Sequence, residues 1–175
     1  MSGILEPDGG YFVNHGVSTS LLTLAGGVFP DCSGRANTVM LLMLQQGLSR
    51  AEAEGLVHRI AVYAELENSI DAPMKTYSSG MLSRLKFAIA TQANPDVLLV
   101  DEIFAVGDFP FRQKSIATMR EKLSSGDTVV FVTHSLNEVS GFCDRAIWLE
   151  SGLVVADGDA KSIVQEYTKA CHPHG

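Results

Sequence analysis

The chain has 175 residues, 46% hydrophobic and 19% charged, which is the composition of an ordinary folded domain with a sizeable core. Its formal net charge of −7 argues against nucleic acid as the main partner, because such binding depends on Lys and Arg neutralising phosphates. The longest strongly apolar stretch, residues 39–44, is far shorter than the roughly 20 residues that a transmembrane helix needs. Three scattered cysteines (Cys32, Cys143 and Cys171) and the absence of a basic leader favour a reduced, cytosolic setting.

The first third of the chain changes from turns to helices. Residues 1 to about 34 are rich in glycine and turn residues, and we predict a short strand at Tyr11-Phe12-Val13 and a loop from Leu21 to Pro30. Helical spacing begins near Arg35, with an apolar face formed by Met40, Leu41, Leu44 and Leu48. This pattern predicts a helical region after a turn-rich start.

Two further helices follow. Ser49 and Glu52 form a capping box that predicts the start of a second helix, whose apolar face carries Leu56, Ile60 and Tyr63. A third helix is predicted from about Ser79 to Ala93, ended by the Asn94-Pro95 pair.

The C-terminal half alternates strands and helices. Val97–Val100 and Thr128–Val132 are uninterrupted apolar runs, as expected for strands covered on both faces of a parallel sheet. The other predicted elements are a helix from Pro110 to Leu123, a short helix from Ser135, a hairpin of 146–150 with 153–156, and a last helix capped by Asp159 and reaching about Lys169. The fold class is therefore α/β with an inserted helical subdomain.

Acidic residues follow the first apolar strand directly. Asp101 can offer a carboxylate to Mg²⁺, which prefers oxygen ligands and keeps most of its waters, while Glu102 can act as a general base toward water. The carboxyl ends of parallel strands are where open α/β sheets bind ligands. The alternative is that both carboxylates cap the next segment at the surface.

Two other segments carry candidate chemistry. Tyr77-Ser78-Ser79-Gly80-Met81 opens a helix, so its backbone N–H groups and hydroxyls form a potential anion site, although an ordinary serine N-cap is the alternative. His134 stands just beyond the second apolar strand and can contact a phosphate or orient water. A partly exposed polar residue is the simpler interpretation of a lone histidine there.

Four segments in this order resemble the ATP-binding subunits of ABC transporters: the signature motif at 77–81, Walker B at 97–102, the D-loop at 105–108 and the switch histidine at 133–134. The Tyr-Ser-Ser-Gly-Met form is similar to that of the branch exporting O-antigen, capsule and teichoic-acid polymers. The resemblance runs from about Gly3 to Thr168, and Cys143–Leu149 and Gly158 match the closing segment of that branch.

The resemblance implies a partial P-loop NTPase (RecA-like) parallel sheet with an inserted ABC helical subdomain. One domain would span 1–175, with a strand, turn and Q-loop region at 1–34, the helical subdomain at 35–93 and the Walker B, D-loop and switch part at 94–175. It implies ATP and Mg²⁺ as ligands. Glu102 would be the catalytic base, Asp101 the Mg²⁺ contact and His134 the γ-phosphate switch.

The resemblance also implies partners. In the family two ATPase subunits pair head to tail, so Tyr77, Ser78, Ser79, Gly80, Met81 and Asp108 would face the nucleotide held by the other subunit. An integral-membrane permease would be the second partner, placing the chain in the cytoplasm on the inner face of the membrane. The implied function is to energise export of a cell-surface polysaccharide.

The chain departs from the family pattern in two places. No G-x-x-x-x-G-K-[ST] phosphate loop occurs in the 175 residues, and neither Gln nor Glu stands near Thr23 or Leu24, where the Q-loop is expected. We therefore expect a chain that starts after Walker A, lacks the N-terminal β part and a C-terminal carbohydrate-binding extension, and does not hydrolyse ATP alone. The lost strand should expose an apolar edge beside Val97–Val100.

Three functions remain to be compared. The first is the exporter ATPase subunit, and the second is a non-catalytic subunit that lends its signature face to a complete partner. A chromosome-maintenance ATPase is the third, and it is disfavoured by the negative charge and by the lack of heptads between residues 35 and 76.

Overall fold

The computed structural model describes residues 8–11, 13, 15–22, 27–92, 94–101 and 107–171. These residues divide into two compact units, Met1–Val132 and Thr133–Gly175. Among them, no helix is both long enough and apolar enough to span a bilayer. Each unit has its own architecture.

Three helices form the inserted subdomain of the first unit: α1 (Gly34–Gln46), α2 (Arg50–Ala64) and α3 (Ser79–Gln92). The predicted capping box of α2 is confirmed, because the Ser49 hydroxyl accepts the Glu52 N–H and the Glu52 carboxylate accepts the Ser49 N–H. A short 3-10 turn, Met74–Thr76, leads into the segment before α3. The helices enclose an apolar core that includes Leu42, Val57, Ile60, Leu85 and Ile89.

A parallel sheet forms the rest of the first unit. In the described residues its order is β1 (Thr19–Leu22), β2 (Val97–Asp101) and β3 (Thr128–Val132), with α4 (Phe109–Ser125) connecting β2 to β3. The register aligns Thr19 with Val97, and Val97 with Thr128. The carboxyl ends of all three strands therefore lie at one edge of the sheet, which is where a ligand site is expected.

The second unit is a helix-backed hairpin. It contains α5 (Leu136–Phe142), the antiparallel strands β4 (Arg145–Glu150) and β5 (Leu153–Asp159), and α6 (Ala160–Cys171). Trp148 packs edge-on against Tyr167 of α6, with ring centroids 5.2 Å apart. The predicted helix cap at Asp159 is confirmed, because its carboxylate accepts the Ser162 N–H at 2.9 Å.

The N-terminal predictions were wrong in two places. Tyr11 and Val13 are exposed and outside any strand, while Phe12 lies outside the described residues. The strand in this region is β1, whose last two residues fall in the predicted loop, and it is defined by pairing with β2. A four-residue strand whose partner lies far away in the chain has no local signal strong enough to distinguish it.

The predicted burial of the sheet also needs correction. We expected an unpaired edge beside Val97–Val100, but β2 is hydrogen-bonded to β1 on one side and β3 on the other, and its central residues are buried. In the described part of the sheet, β3 is one of the two outer strands, and none of its residues is fully buried. The prediction that β3 is covered on both faces was therefore wrong.

Helix α1 buries a different face from the predicted one. Leu41 and Leu42 are buried, whereas Leu44 is 74% exposed. The buried polar residue Asn37 shifts the face, since its side-chain amide donates to the carbonyl of Phe29 and its oxygen accepts the Phe29 N–H at 2.7 Å. Because a buried amide must be satisfied, Asn37 ties the preceding loop to α1 and sets which side of the helix faces inward.

The starts of β1 and β2 are joined by Ser18 and Asp96. The Asp96 carboxylate accepts both the Ser18 N–H and hydroxyl, and these bonds lower the pKa of Asp96. A lowered folded-state pKa means that this stabilisation is present above the unfolded-state pKa and is lost as pH falls through the folded value, below about pH 4.

We expect Asp96→Asn to weaken the fall in the free energy of unfolding at acid pH, measured by urea unfolding between about pH 5 and pH 2. Ser18→Ala should weaken this pH dependence in the same direction. An unchanged pH dependence of the free energy of unfolding in both variants would contradict the assignment.

Candidate functional site

The segment 77–81 begins α3 with a serine cap. The Ser78 hydroxyl accepts the Met81 N–H at 3.2 Å, and the Ser78 carbonyl accepts the Leu82 N–H at 3.0 Å. The N–H groups of a first helical turn have no acceptor inside their own helix, so they can meet an anion. Ser78 and Ser79 are exposed, and Gly80 and Met81 are half-buried.

Tyr77 lies beneath this turn rather than on it. Its side chain is buried, its hydroxyl donates to the Ser69 carbonyl at 2.6 Å, and burial raises the pKa of the phenol. The ring contacts the start of α1 so closely that a Cβ on Gly34 would stand 2.3 Å from the Tyr77 hydroxyl oxygen. Tyr77 therefore packs residues 77–81, the predicted signature turn, against the helical subdomain.

Gly80 has no evident role in the packing of this chain. It lies within α3, and a Cβ added there would meet nothing closer than the Ser78 hydroxyl oxygen at 3.8 Å. Neither a left-handed backbone nor a crowded neighbour requires glycine at this position. The absent side chain leaves space on the outer side of the turn.

Asp101 and Asp108 lie on either side of 102–106. Asp101 ends β2 and is exposed at the carboxyl edge of the sheet. Glu102, the predicted base, lies outside the described residues. Asp108 caps α4 by accepting the Phe111 N–H at 3.2 Å, immediately after Gly107, whose φ is +79°.

His134 belongs to the second unit. It is exposed and sits between Thr133 and the start of α5. The Thr133 hydroxyl organises this turn, since it donates to the Glu138 carboxylate at 2.8 Å and accepts the Ser135 N–H at 3.0 Å. The turn holds the histidine at the beginning of the unit, directly after β3.

The carboxylates present fit a limited metal role. No group of three or more His, Cys, Asp or Glu side chains converges among the described residues. Asp101 alone at a strand end suits Mg²⁺, which can take a single protein carboxylate and complete its shell with water and phosphate oxygens. The described carboxylates thus fit a Mg²⁺ ion held through one protein ligand.

Arg84 brings α3 close to the start of α4 through contacts that the sequence did not predict. Arg84 of α3 lies with Nη1 3.2 Å from Glu65 Oε2 and 4.0 Å from Asp108 Oδ2. Its position on a predicted helix carried no signal for these contacts, because both carboxylates are distant in the chain. A groove of about 650 Å³ beside α1 and α2 contains none of the predicted site residues, and its lining includes Met40, Met43, Leu44, Arg50, Glu54 and Val57.

Curated proteins provide close sequence relatives. The chain is 39% identical over 97% of its length to the O-antigen export system ATP-binding protein RfbB of Klebsiella pneumoniae, and it spans 69% of that protein. It is 41% identical to RfbB of Myxococcus xanthus, of which it spans 39%, and 40% identical to the teichoic acids export ATP-binding protein TagH of Listeria innocua, of which it spans 49%. No family model matches the chain.

Solved structures share the fold. An ATP-binding subunit of an ABC transporter aligns with a TM-score of 0.70 at 21% identity, covering 86% of this chain and 62% of the other. The dimeric ATP-binding cassette MJ0796, in a post-hydrolysis state bound to ADP and Pi, aligns with a TM-score of 0.64 at 24% identity, covering 82% of this chain and 63% of the other. The α/β class with a parallel sheet is thus confirmed.

Proposed function

This chain belongs to the family of ABC transporter ATP-binding subunits of the O-antigen and teichoic-acid export type, and from that premise we propose that it works in the export of a cell-surface polysaccharide. Its part would be to couple ATP binding and hydrolysis to a separate integral-membrane permease. The Klebsiella and Listeria relatives are O-antigen and teichoic-acid export proteins, which supports this proposal.

The observation that carries the proposal is the signature turn. An exposed, serine-capped helix start with an unneeded glycine is suited to close approach by an anion from outside the chain. In a head-to-tail dimer that anion would be the nucleotide held by the partner subunit. Ser78, Ser79 and Gly80 would then contact its phosphates, while Tyr77 and Met81 would hold the turn in place.

The remaining site residues receive complementary roles. Asp101 would hold Mg²⁺, which supplies charge neutralisation for the phosphates when it is bound. Glu102 would take a proton from the attacking water, and His134 would donate a hydrogen bond toward the γ-phosphate. Asp108, at the exposed start of α4, would face the partner subunit across the D-loop.

We further propose that the two units act as one ABC ATPase domain, with a second ATPase subunit and a permease as partners at the inner face of the membrane. The dimer of MJ0796 supports this arrangement. CbiO1 from Clostridium perfringens, part of the ABC transporter complex CbiONQ, also supports it, and it aligns with a TM-score of 0.59 at 21% identity over 89% of this chain and 64% of the other. Both share the fold of this chain. Nucleic acid is not a proposed partner, given the charge of −7.

A second role depends only on the signature turn, which this chain contains. The Lys and backbone N–H groups of the phosphate loop supply most of the β- and γ-phosphate recognition in P-loop enzymes. The 175 residues without it would not hydrolyse ATP alone, but could still lend the signature turn to a partner. This role is that of a non-catalytic subunit paired with a complete ATPase.

The two roles are tested by mixing the chain with a complete relative whose own signature serine has been replaced. That relative keeps its phosphate loop but lacks a signature, so hydrolysis should return only when this chain supplies one. We expect Ser79→Arg to reduce the restored rate about 100-fold, the scale of losing a preorganised donor. Ser124→Arg, on the exposed surface of α4, is the matched control and should restore the rate fully.

The chain alone is measured in the same assay. We expect no turnover above background, with or without Glu102→Gln. Robust hydrolysis that Glu102→Gln abolishes would contradict the expectation that the chain alone does not hydrolyse ATP. Failure both to restore hydrolysis and to co-purify with the relative would count against any shared site.

A further inference from the structure

Arg84 connects three helices at the edge of the proposed site. It lies on α3, one turn beyond the signature segment, and only 17% of its side chain is exposed. Its guanidinium reaches Glu65 at the end of α2, at 3.2 Å, and faces Asp108 at the start of α4, at 4.0 Å. The same group stands 5.9 Å from the centroid of the Phe111 ring.

Glu65 is itself held in place. It is the C-cap of α2 in a left-handed conformation, with φ of 59°, and its second oxygen lies 3.3 Å from Lys114 Nζ. Lys114 also donates to the Tyr63 carbonyl at 2.7 Å, so α4 is bonded to the end of α2. Glu65 therefore has a fixed position from which to orient Arg84.

Gly107 completes the contact on the D-loop side. Its φ is +79°, and a Cβ there would lie 3.2 Å from Arg84 Cγ and equally close to Phe111. The backbone at 107 thus rests against the aliphatic stem of Arg84, while the charge of Arg84 faces the next residue, Asp108. Both parts of one side chain act on the same two-residue segment.

The arrangement is not optimised for hydrogen bonding. Arg84 Nε is buried and has no hydrogen-bond partner among the described residues. A buried donor without an acceptor lowers the stability of the fold. An apolar or fully hydrogen-bonded side chain would therefore stabilise this position more than Arg84 does. The geometry favours a role in relative positioning of the two segments.

We propose that Arg84 is a positioning residue that couples the signature turn to Gly107–Asp108, so that both segments meet the partner's nucleotide site in a fixed relation. The proposal rests on the proposed function, because that function places both segments at the dimer contact. Arg84 acts through its neighbours and touches no substrate.

The first test is amide hydrogen exchange of the 175-residue chain. The Phe111 and Arg112 N–H groups bond to the Asp108 carboxylate and carbonyl, so they report on the order of this segment. Arg84→Gln should speed their exchange at least about fivefold, while the amides of α1 remain unchanged. The control is Arg50→Gln, which breaks an exposed pair with Glu54 at 2.7 Å and should leave residues 107–112 as they are.

Two further variants keep the test decisive if Arg84→Gln unfolds. Arg84→Lys keeps the charge but loses the planar fork, and it should restore part of the protection. Asp108→Asn keeps an acceptor for the Phe111 N–H and removes the charge facing Arg84, so it should loosen the segment to a smaller extent. Unchanged exchange at Phe111 and Arg112 in all three variants would overturn the proposal.

The second test is the mixed assay with the signature-deficient relative. Arg84→Gln should lower the restored kcat at least about tenfold with little change in KM for ATP, since positioning acts on the reaction rather than on nucleotide capture. Full restoration of hydrolysis by Arg84→Gln, together with faster exchange at Phe111 and Arg112, would overturn the role of Arg84 in the reaction. If the unaltered chain restores nothing, the proposed function fails, whereas the exchange result still decides whether Arg84 orders the segment.

Discussion

Replacing Phe87 with alanine is expected to lower the free energy of unfolding by about 3–5 kcal/mol, a large part of the roughly 5–15 kcal/mol of a typical domain. Phe87 is fully buried, and its ring stacks on Tyr63 at 6.2 Å and meets the edge of Phe111 at 6.0 Å. The cavity would therefore open at the junction of α2, α3 and α4. No single neighbour can fill it, because the three rings support one another.

Urea unfolding followed by circular dichroism measures this effect. Phe109→Ala is the matched control, because Phe109 is 74% exposed at the start of α4 and loses little buried contact. We expect the midpoint to shift strongly for Phe87→Ala and within about 0.5 kcal/mol of wild type for Phe109→Ala. Equal shifts would show that the aromatic cluster is not the centre of this core.

Gly34→Ala is expected to destabilise the chain by about 1–3 kcal/mol, even though alanine is the better helix former. The added methyl would lie 2.3 Å from the Tyr77 hydroxyl oxygen and 3.0 Å from the Ile70 carbonyl oxygen. Tyr77 must then move, and with it the start of the signature turn. The substitution therefore links the packing of α1 to the proposed site.

A double variant separates the clash from the general cost. Tyr77→Phe removes the hydroxyl that donates to the Ser69 carbonyl, at a cost of about 1 kcal/mol, but also makes room for the methyl. Gly34→Ala with Tyr77→Phe should be less destabilised than the sum of the single variants. Gly55→Ala serves as the control, since its methyl meets nothing within 4 Å and should stabilise α2 by about 0.5–1 kcal/mol. Strict additivity of the two substitutions would contradict the clash.

Features determined by nearby residues could be predicted from the sequence. The capping box at Ser49 and Glu52, the β3 boundaries and the Asp159 cap depend on short-range hydrogen bonds or on an unbroken apolar run. The candidate site segments were placed by resemblance, and Asp101 does lie at a strand end. The confirmed features share a local physical cause, whereas the roles of the site segments stay predictions.

Features determined by distant residues could not be predicted. β1 depends on β2, the inward face of α1 depends on the buried amide of Asn37, and the contact of Arg84 with Asp108 depends on how α3 and α4 pack. In each case the decisive partner is remote in the chain, or it is a polar side chain that is buried although such side chains are usually exposed. Periodicity alone has no access to such pairings.

The pairing of β1 with β2 has a consequence for the order of folding. Ser18 bonds to Asp96 across a separation of 78 residues, and all three helices of the inserted subdomain lie between them. Closing a flexible loop of that length costs roughly 4 kcal/mol in chain entropy, whereas the helices make contacts that are much closer in sequence. We expect the helical insertion to collapse first and thereby shorten the distance that the two strands must search. The sheet at whose edge the proposed site lies would then be the late product of folding, and its slowest step would be the meeting of β1 with β2.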